Sequence, residues 1–129
     1  SGNELVSQEI GDFVQSWRNS DFDLFVSANG GSPDPDEYFY RTFRGGGSTN
    51  VFKYDDARVN ELLDQGRTTT DPAARKGIYD EVQQILACTG PAAHIAYGNL
   101  FTAVSDKVSG FEIYSNGRLT SLRNATLAE

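Results

Sequence analysis

A chain of 129 residues, 38% hydrophobic and 12% aromatic with the aromatics spread along its length, is long enough for one core and excludes wholesale disorder. Its 18 acidic against 11 basic residues, a formal charge of −7 without any run of Lys or Arg, argue against nucleic acid or a lipid surface as partner. No apolar stretch is long enough to span a bilayer, and Ser1-Gly2-Asn3-Glu4 lacks the basic and apolar regions of a signal peptide.

In chain order, residues 4–10, with Leu5, Val6 and Ile10, read as a short strand. Residues 11–19 follow as a helix, because Phe13, Val14 and Trp17 recur at the spacing of one helical face. Phe22-Asp23-Leu24-Phe25-Val26 has the length and type of a strand and ends at Asn29-Gly30-Gly31, so a βαβ-like unit is expected. Gly30 to Asp36 is dense in turn residues, and Pro33 and Pro35 each disfavour helix in the residue before them. Asp36 is placed to cap a short helix carrying Tyr38, Phe39 and Phe43. Residues 45–50, Gly-Gly-Gly-Ser-Thr-Asn, form a flexible loop that is short for a link between domains.

Val59, Leu62 and Leu63 mark a helix starting near Asp56. The best-signalled helix comes next. Asp71 stands at its N-cap, Pro72 at the first helical position, and Ile78, Val82, Ile85 and Leu86 make an apolar stripe that should stop before Gly90-Pro91. Ala92 to Tyr97, Leu100 to Val104 and Phe111 to Tyr114 are short apolar runs bounded by Gly or Asn, and read as strands. Asn116-Gly117 is a turn signal, and residues 123–129 read as a frayed tail. With no internal repeat and no second composition regime, 1–129 reads as one domain or one piece of a larger protein.

The chemistry-bearing residues are few. One cysteine, Cys88, cannot make an intrachain disulfide or by itself a zinc site, and it has no basic neighbour to stabilise a thiolate. The one histidine, His94, sits between Ala93 and Ile95 as a structural residue would. Asp34 and Asp36 lie two apart, but Glu37-Tyr38-Phe39 follows where a calcium loop needs further ligands and a glycine. Gly30-Gly31-Ser32-Pro33-Asp34 lacks the closing glycine of a hydrolase elbow, and Gly45-Gly46-Gly47 lacks the lysine of a phosphate loop. No catalytic residue, metal or cofactor is therefore assigned, and no enzyme is expected. A hydrolase built on scattered carboxylates remains a weak alternative. A self-standing acidic protein-interaction domain is the stronger one.

Four segments carry a family likeness. They are Phe22-Asp23-Leu24 with the Asp34-Pro35-Asp36 loop and its aromatic sequel, Asn50 to Leu63, Asp71-Pro72-Ala73-Ala74-Arg75 running into Ile78 to Leu86, and Val108-Ser109-Gly110-Phe111. In that order and spacing they resemble the C-terminal lobe of the family 5 extracellular solute-binding proteins, the oligopeptide, dipeptide and nickel binding components of bacterial ABC importers. The likeness covers about residues 5 to 117. It implies an α/β fold, the distal part of the second lobe of a type II periplasmic-binding-protein-like architecture, with a mixed sheet and packed helices. It implies a partial domain of a protein several times longer, periplasmic or held outside the cytoplasm by a lipid anchor. Its partners would be a small-molecule or peptide ligand and a membrane permease.

In peptide-binding members of that family, the loop before the Asp-Pro pair carries an acidic residue for the peptide amine, and a tryptophan commonly precedes it. Aligned on Asp34-Pro35 the acidic position falls on Gly31, and aligned on Phe22-Asp23-Leu24 it falls on Ser32, while Ala28 and Asn29 stand in the tryptophan's place. The amine anchor is missing unless Asp34 replaces it, which leaves sugars, opines, blocked peptides and metal chelates open as ligands. Small residues at the end of a strand still suit binding, because backbone groups there reach a ligand. The expected ligand-binding set is Asn29, Gly30, Gly31, Ser32 and Asp34, with Trp17, Tyr38 or Tyr54 as an apolar wall. Core packing is the competing explanation for each aromatic, Phe39 above all.

Overall fold

The computed structural model describes residues 4–28, 32–96, 98–99, 101–114 and 117–128. They fall into two compact units, one within 1–29 and 34–93 and the other within 30–33 and 94–129.

The first unit is built from four helices: α1 (Ile10–Asn19), α2 (Pro35–Phe43), α3 (Ala57–Thr68) and α4 (Pro72–Thr89). Three of them start on an aspartate cap. The Asp56 carboxylate accepts from the Val59 N–H at 2.9 Å, and Asp71 accepts from the Ala74 N–H at 2.8 Å. On α2 the cap is Asp34, accepting from the Asp36 N–H at 2.8 Å, and not Asp36 as the sequence suggested. Pro35 explains the shift, since a proline with no N–H and a fixed φ fits the first helical position, which leaves Asp36 in the first turn. α4 ends as expected, at Thr89 before Gly90-Pro91. α1 lacks a side-chain cap, closes on Ser20 at φ 57 and buries no residue completely.

α3 packs against α4, and α2 against α3. Val59, Leu62 and Leu63 meet Tyr79, Val82 and Leu86, with Phe43 of α2 completing the buried cluster. Ile78 and Ile85, expected in the α4 stripe with Val82 and Leu86, are partly buried and pack against the cluster. Tyr79 takes the central place because α3 approaches closely at Gly66, where a Cβ would come within 2.9 Å of the Tyr79 ring. Arg58 fastens the outside of the pair, donating to Glu81 at 2.9 and 3.2 Å and to Glu61 at 2.7 Å.

Between α2 and α3 the chain makes side-chain-directed turns. The Asn50 amide donates to the Arg44 and Tyr54 carbonyls at 2.9 and 2.6 Å and accepts from the Tyr54 N–H at 3.0 Å. The Gly45 N–H donates to the Asn60 side chain at 2.8 Å, and Gly46 turns through φ 75.

In the second unit, β1 (Val108–Ser109) pairs antiparallel with β2 (Thr126–Leu127), in the register Val108 to Leu127 and Ser109 to Thr126. A 3-10 turn, Thr120–Asn124, leads into β2, and Ser121 is buried with its hydroxyl donating to the Glu112 carbonyl at 2.6 Å. β2 lies inside the stretch read from sequence as a tail. Gly117 turns at φ 71, while Asn116 lies outside the described residues.

The expected strands are the main correction. Residues 4–9 and Phe22–Val26 form no strand, so no βαβ-like unit is present among the described residues. The described parts of 92–97, 100–104 and 111–114 are likewise outside strands, Tyr97 and Leu100 not being described. In place of a mixed sheet the described residues carry one short antiparallel ladder. The physical reason is that a helix satisfies its own N–H and C=O groups, whereas a strand needs a partner whose identity no local pattern reveals. No helix among the described residues is long and apolar enough to cross a membrane.

Candidate functional site

α1, the segment after it, α2 and the turn before α3 line an open cavity of about 240 Å³ in the first unit. Phe13, Val14 and Trp17 reach it from one face of α1, Phe25 and Ser27 from the following segment. Arg41 and Thr42 come from the end of α2, Thr49 and Phe52 from the turn. The aromatic walls rest on the core. Phe25 stacks on Phe52 with centroids 5.6 Å apart, and Phe52 stacks on buried Phe43 at 6.4 Å. Phe13 meets the Phe25 ring edge-on at 6.3 Å.

The remaining wall is polar. The Thr49 hydroxyl donates to the Arg41 carbonyl at 3.2 Å and lies 3.3 Å from the hydroxyl of Thr42, which is buried. Because Thr49 commits its proton to the carbonyl, Thr42 is the donor between the two threonines. The lining contains no carboxylate.

A second polar cluster sits at the other end of α2. Arg75 donates to both Asp34 oxygens at 2.7 and 3.0 Å and to the Gly66 carbonyl at 2.9 Å. Arg67 donates to Asp36 at 3.2 Å and lies 3.7 Å from the Tyr40 ring centre. The Arg75 guanidinium, helped by the Asp36 N–H, holds the Asp34 carboxyl below its ordinary value. Burial, reinforced by the Asp36 charge, pushes the Tyr79 phenol up. This arrangement ties the start of α2 to α3 and α4.

The residues expected from sequence are thus dispersed. Trp17 lines the cavity. Asp34 caps α2 and is forked by Arg75. Tyr38 packs edge-on against Phe39 and Phe43 at 5.5 and 5.8 Å, and Phe39 leans on Phe43 and Tyr79, as core packing requires. Tyr54 packs on the core with its hydroxyl buried, and burial raises its phenol. Ser32 belongs to the second unit, and Asn29, Gly30 and Gly31 lie outside the described residues. The sequence reading passed over Arg41, Thr42, Thr49 and Phe52. The available signal was a cation set inside the aromatic run Tyr38-Phe39-Tyr40-Arg41-Thr42-Phe43. Among the described residues no group of three or more His, Cys, Asp or Glu is placed to hold a metal ion.

Over 113 residues, 84% of this chain, the sequence is 28% identical to the Dipeptide-binding protein of Pseudomonas aeruginosa, of which the match covers 21%. Di/tripeptide-binding protein 1 of Pseudomonas aeruginosa strain UCBPP-PA14 is 24% identical over 113 residues, covering 85% of this chain and 21% of that protein. Protein XP55 of Streptomyces lividans is 28% identical over 100 residues, covering 74% and 18%. The chain is a distant relative of these proteins and spans about a fifth of their length. No family model and no solved structure matches it.

Proposed function

We propose that this chain builds part of the second lobe of a solute-binding receptor, contributing one wall of a ligand cleft for peptides or similar small solutes. The similarity to dipeptide-binding proteins over 84% of the chain carries this reading. The cavity supports it, being apolar with a few polar groups on one side, as binding pockets are. The receptor would be of the family 5 type and deliver its ligand to the permease of an ABC importer, from the periplasm or from a lipid anchor outside the cytoplasm. It would bind without chemistry of its own, affinity arising when a second lobe closes and excludes water. Asp34 is proposed to anchor α2 through Arg75 and not to hold a peptide amine, since its two oxygens are already engaged.

Calorimetric titration of the full-length natural protein tests this. Saturable binding of at least one short peptide at micromolar Kd or tighter is expected. Absence of any saturable heat with Ala-Ala, Ala-Phe and Ala-Ala-Ala overturns the assignment of free peptides as the ligand.

A further inference from the structure

We propose that the exposed apolar side chains of the stretch 94–128 form a docking surface for the rest of the natural protein, and that this stretch completes its packing only against chain outside these 129 residues. The occupant rests on the receptor reading above, since it takes the natural protein to be as long as its relatives. That the surface is covered at all rests on the second unit itself.

Exposure comes first. Phe101 is 87% and Leu127 76% exposed, and Ile95, Ile113, Leu119 and Leu122 are exposed with them. Among the described residues of the stretch the buried one is Ser121, so its large apolar groups do not cover one another. Single apolar residues scattered over a surface are ordinary, whereas a concentration of them in one unit marks an interaction surface. The ladder points the same way. β1 and β2 pair only with each other among the described residues, which leaves the outer edge of each open. A ladder of two strands holds in water when further strands or a packed layer cover it, and open edges are where another stretch of backbone adds.

Charge selects the occupant. Beyond residue 93, Asp106, Glu112 and Glu129 balance Lys107, Arg118 and Arg123, so the net charge of −7 rests entirely on residues 1–93. A neutral, apolar surface without a basic cluster suits burial against protein and not an anionic lipid. A second copy of this chain would bring a second charge of −7, and that repulsion opposes association between copies. The rest of the same chain carries no such requirement for concentration, because it is tethered and docks as an intramolecular event. Its length is at hand: the match that takes up 84% of this chain spans 21% of the Dipeptide-binding protein. Within these 129 residues Phe101 has little packing to lose, so the full-length protein is the molecule to read.

The test is thiol labelling of the full-length natural protein with N-ethylmaleimide, the labelled peptides resolved by mass spectrometry, with Phe101→Cys and Leu127→Cys as separate variants. Each introduced thiol is expected to react at least about 10-fold more slowly in the native protein than in urea, because burial withholds it from the reagent. A smaller difference at both positions overturns this proposal and leaves the receptor reading standing. Protection that disappears on dilution of the protein assigns the surface to a second copy and overturns it likewise. A natural chain no longer than these 129 residues overturns both. If neither variant folds, as thermal melting would show, backbone hydrogen exchange of the unsubstituted protein decides. Residues 101–104 make no backbone hydrogen bond among the described residues. Slow exchange there supports docking, and exchange at the rate of a free peptide overturns it.

Discussion

The stretch 94–128 is no poorer in apolar residues than the stretch 57–89, yet the two use them in opposite ways. In 57–89 the apolar residues recur at helical spacing, and Val59, Leu63 and Val82 are 0% exposed. In 94–128 Ile95 is 82% and Phe101 87% exposed, and among its described residues the buried one is a serine, Ser121. Apolar content alone does not build a core. A 3.6-residue period turns content into a face, and two such faces cover each other. Short runs on a two-stranded ladder have no comparable face to offer.

The sharpest way to break this comparison is to truncate one side chain from each stretch. Leu63→Ala should cost about 2–5 kcal/mol, the range for opening a cavity in a packed core. Phe101→Ala should cost less than about 0.5 kcal/mol, as for a surface substitution. Urea unfolding of the two variants beside the native chain measures both, and similar losses would mean that 94–128 has a core of its own.

Glycine sharpens the picture inside the helical pair. Gly66 on α3 and Gly77 on α4 both sit in helix interiors, where alanine is intrinsically preferred by about 1 kcal/mol. A Cβ at Gly66 would meet the Tyr79 ring at 2.9 Å, whereas one at Gly77 meets nothing within 4 Å. Gly66→Ala should therefore destabilise by about 1–3 kcal/mol, and Gly77→Ala should stabilise by up to about 1 kcal/mol. Thermal melts giving shifts of the same sign would show that α3 and α4 are not packed this closely.

The same division explains what the sequence revealed. α3 and α4 were legible because cap, proline and apolar period all sit within a few residues of one another, as at Asp71, Pro72 and the Ile78–Leu86 stripe. Tyr79 was missed because its burial depends on Gly66 in another helix. The pairing of Val108–Ser109 with Thr126–Leu127 was missed because a two-residue ladder carries no period. Of the site, Trp17 could be named from its helical spacing. Thr42 and Thr49 could not, since no local pattern shows that the end of α2 and the turn before α3 meet α1 around one cavity.

Caps give the next smaller effect. Asp56→Ala should cost about 1 kcal/mol by leaving the Val59 N–H without its acceptor, with Asp56→Asn nearly neutral because the amide oxygen can take over. Equal losses in the two variants, measured by denaturant unfolding, would remove the cap as the cause.

The smallest effect expected is a shift of acid sensitivity at the base of α2. Asp34 is held below its ordinary carboxylate value, first by hydrogen bonds from Arg75 and then by the Asp36 N–H. A carboxyl lowered in this way stabilises the fold fully above the unfolded value of 3.8 and loses that contribution as pH falls through the folded one. Its side chain is 55% exposed, so solvent screens much of the pairing. Arg75→Gln should therefore change stability little at neutral pH, and the part it does remove should be the part that acid removes from the native chain. The two unfolding curves should converge below the ordinary carboxylate range and separate above it. Salt should narrow the gap at neutral pH, because an exposed pair is screened within a Debye length. A gap that persists unchanged in acid would mean that Arg75 acts through its bond to the Gly66 carbonyl and its place over Tyr79, and not through Asp34.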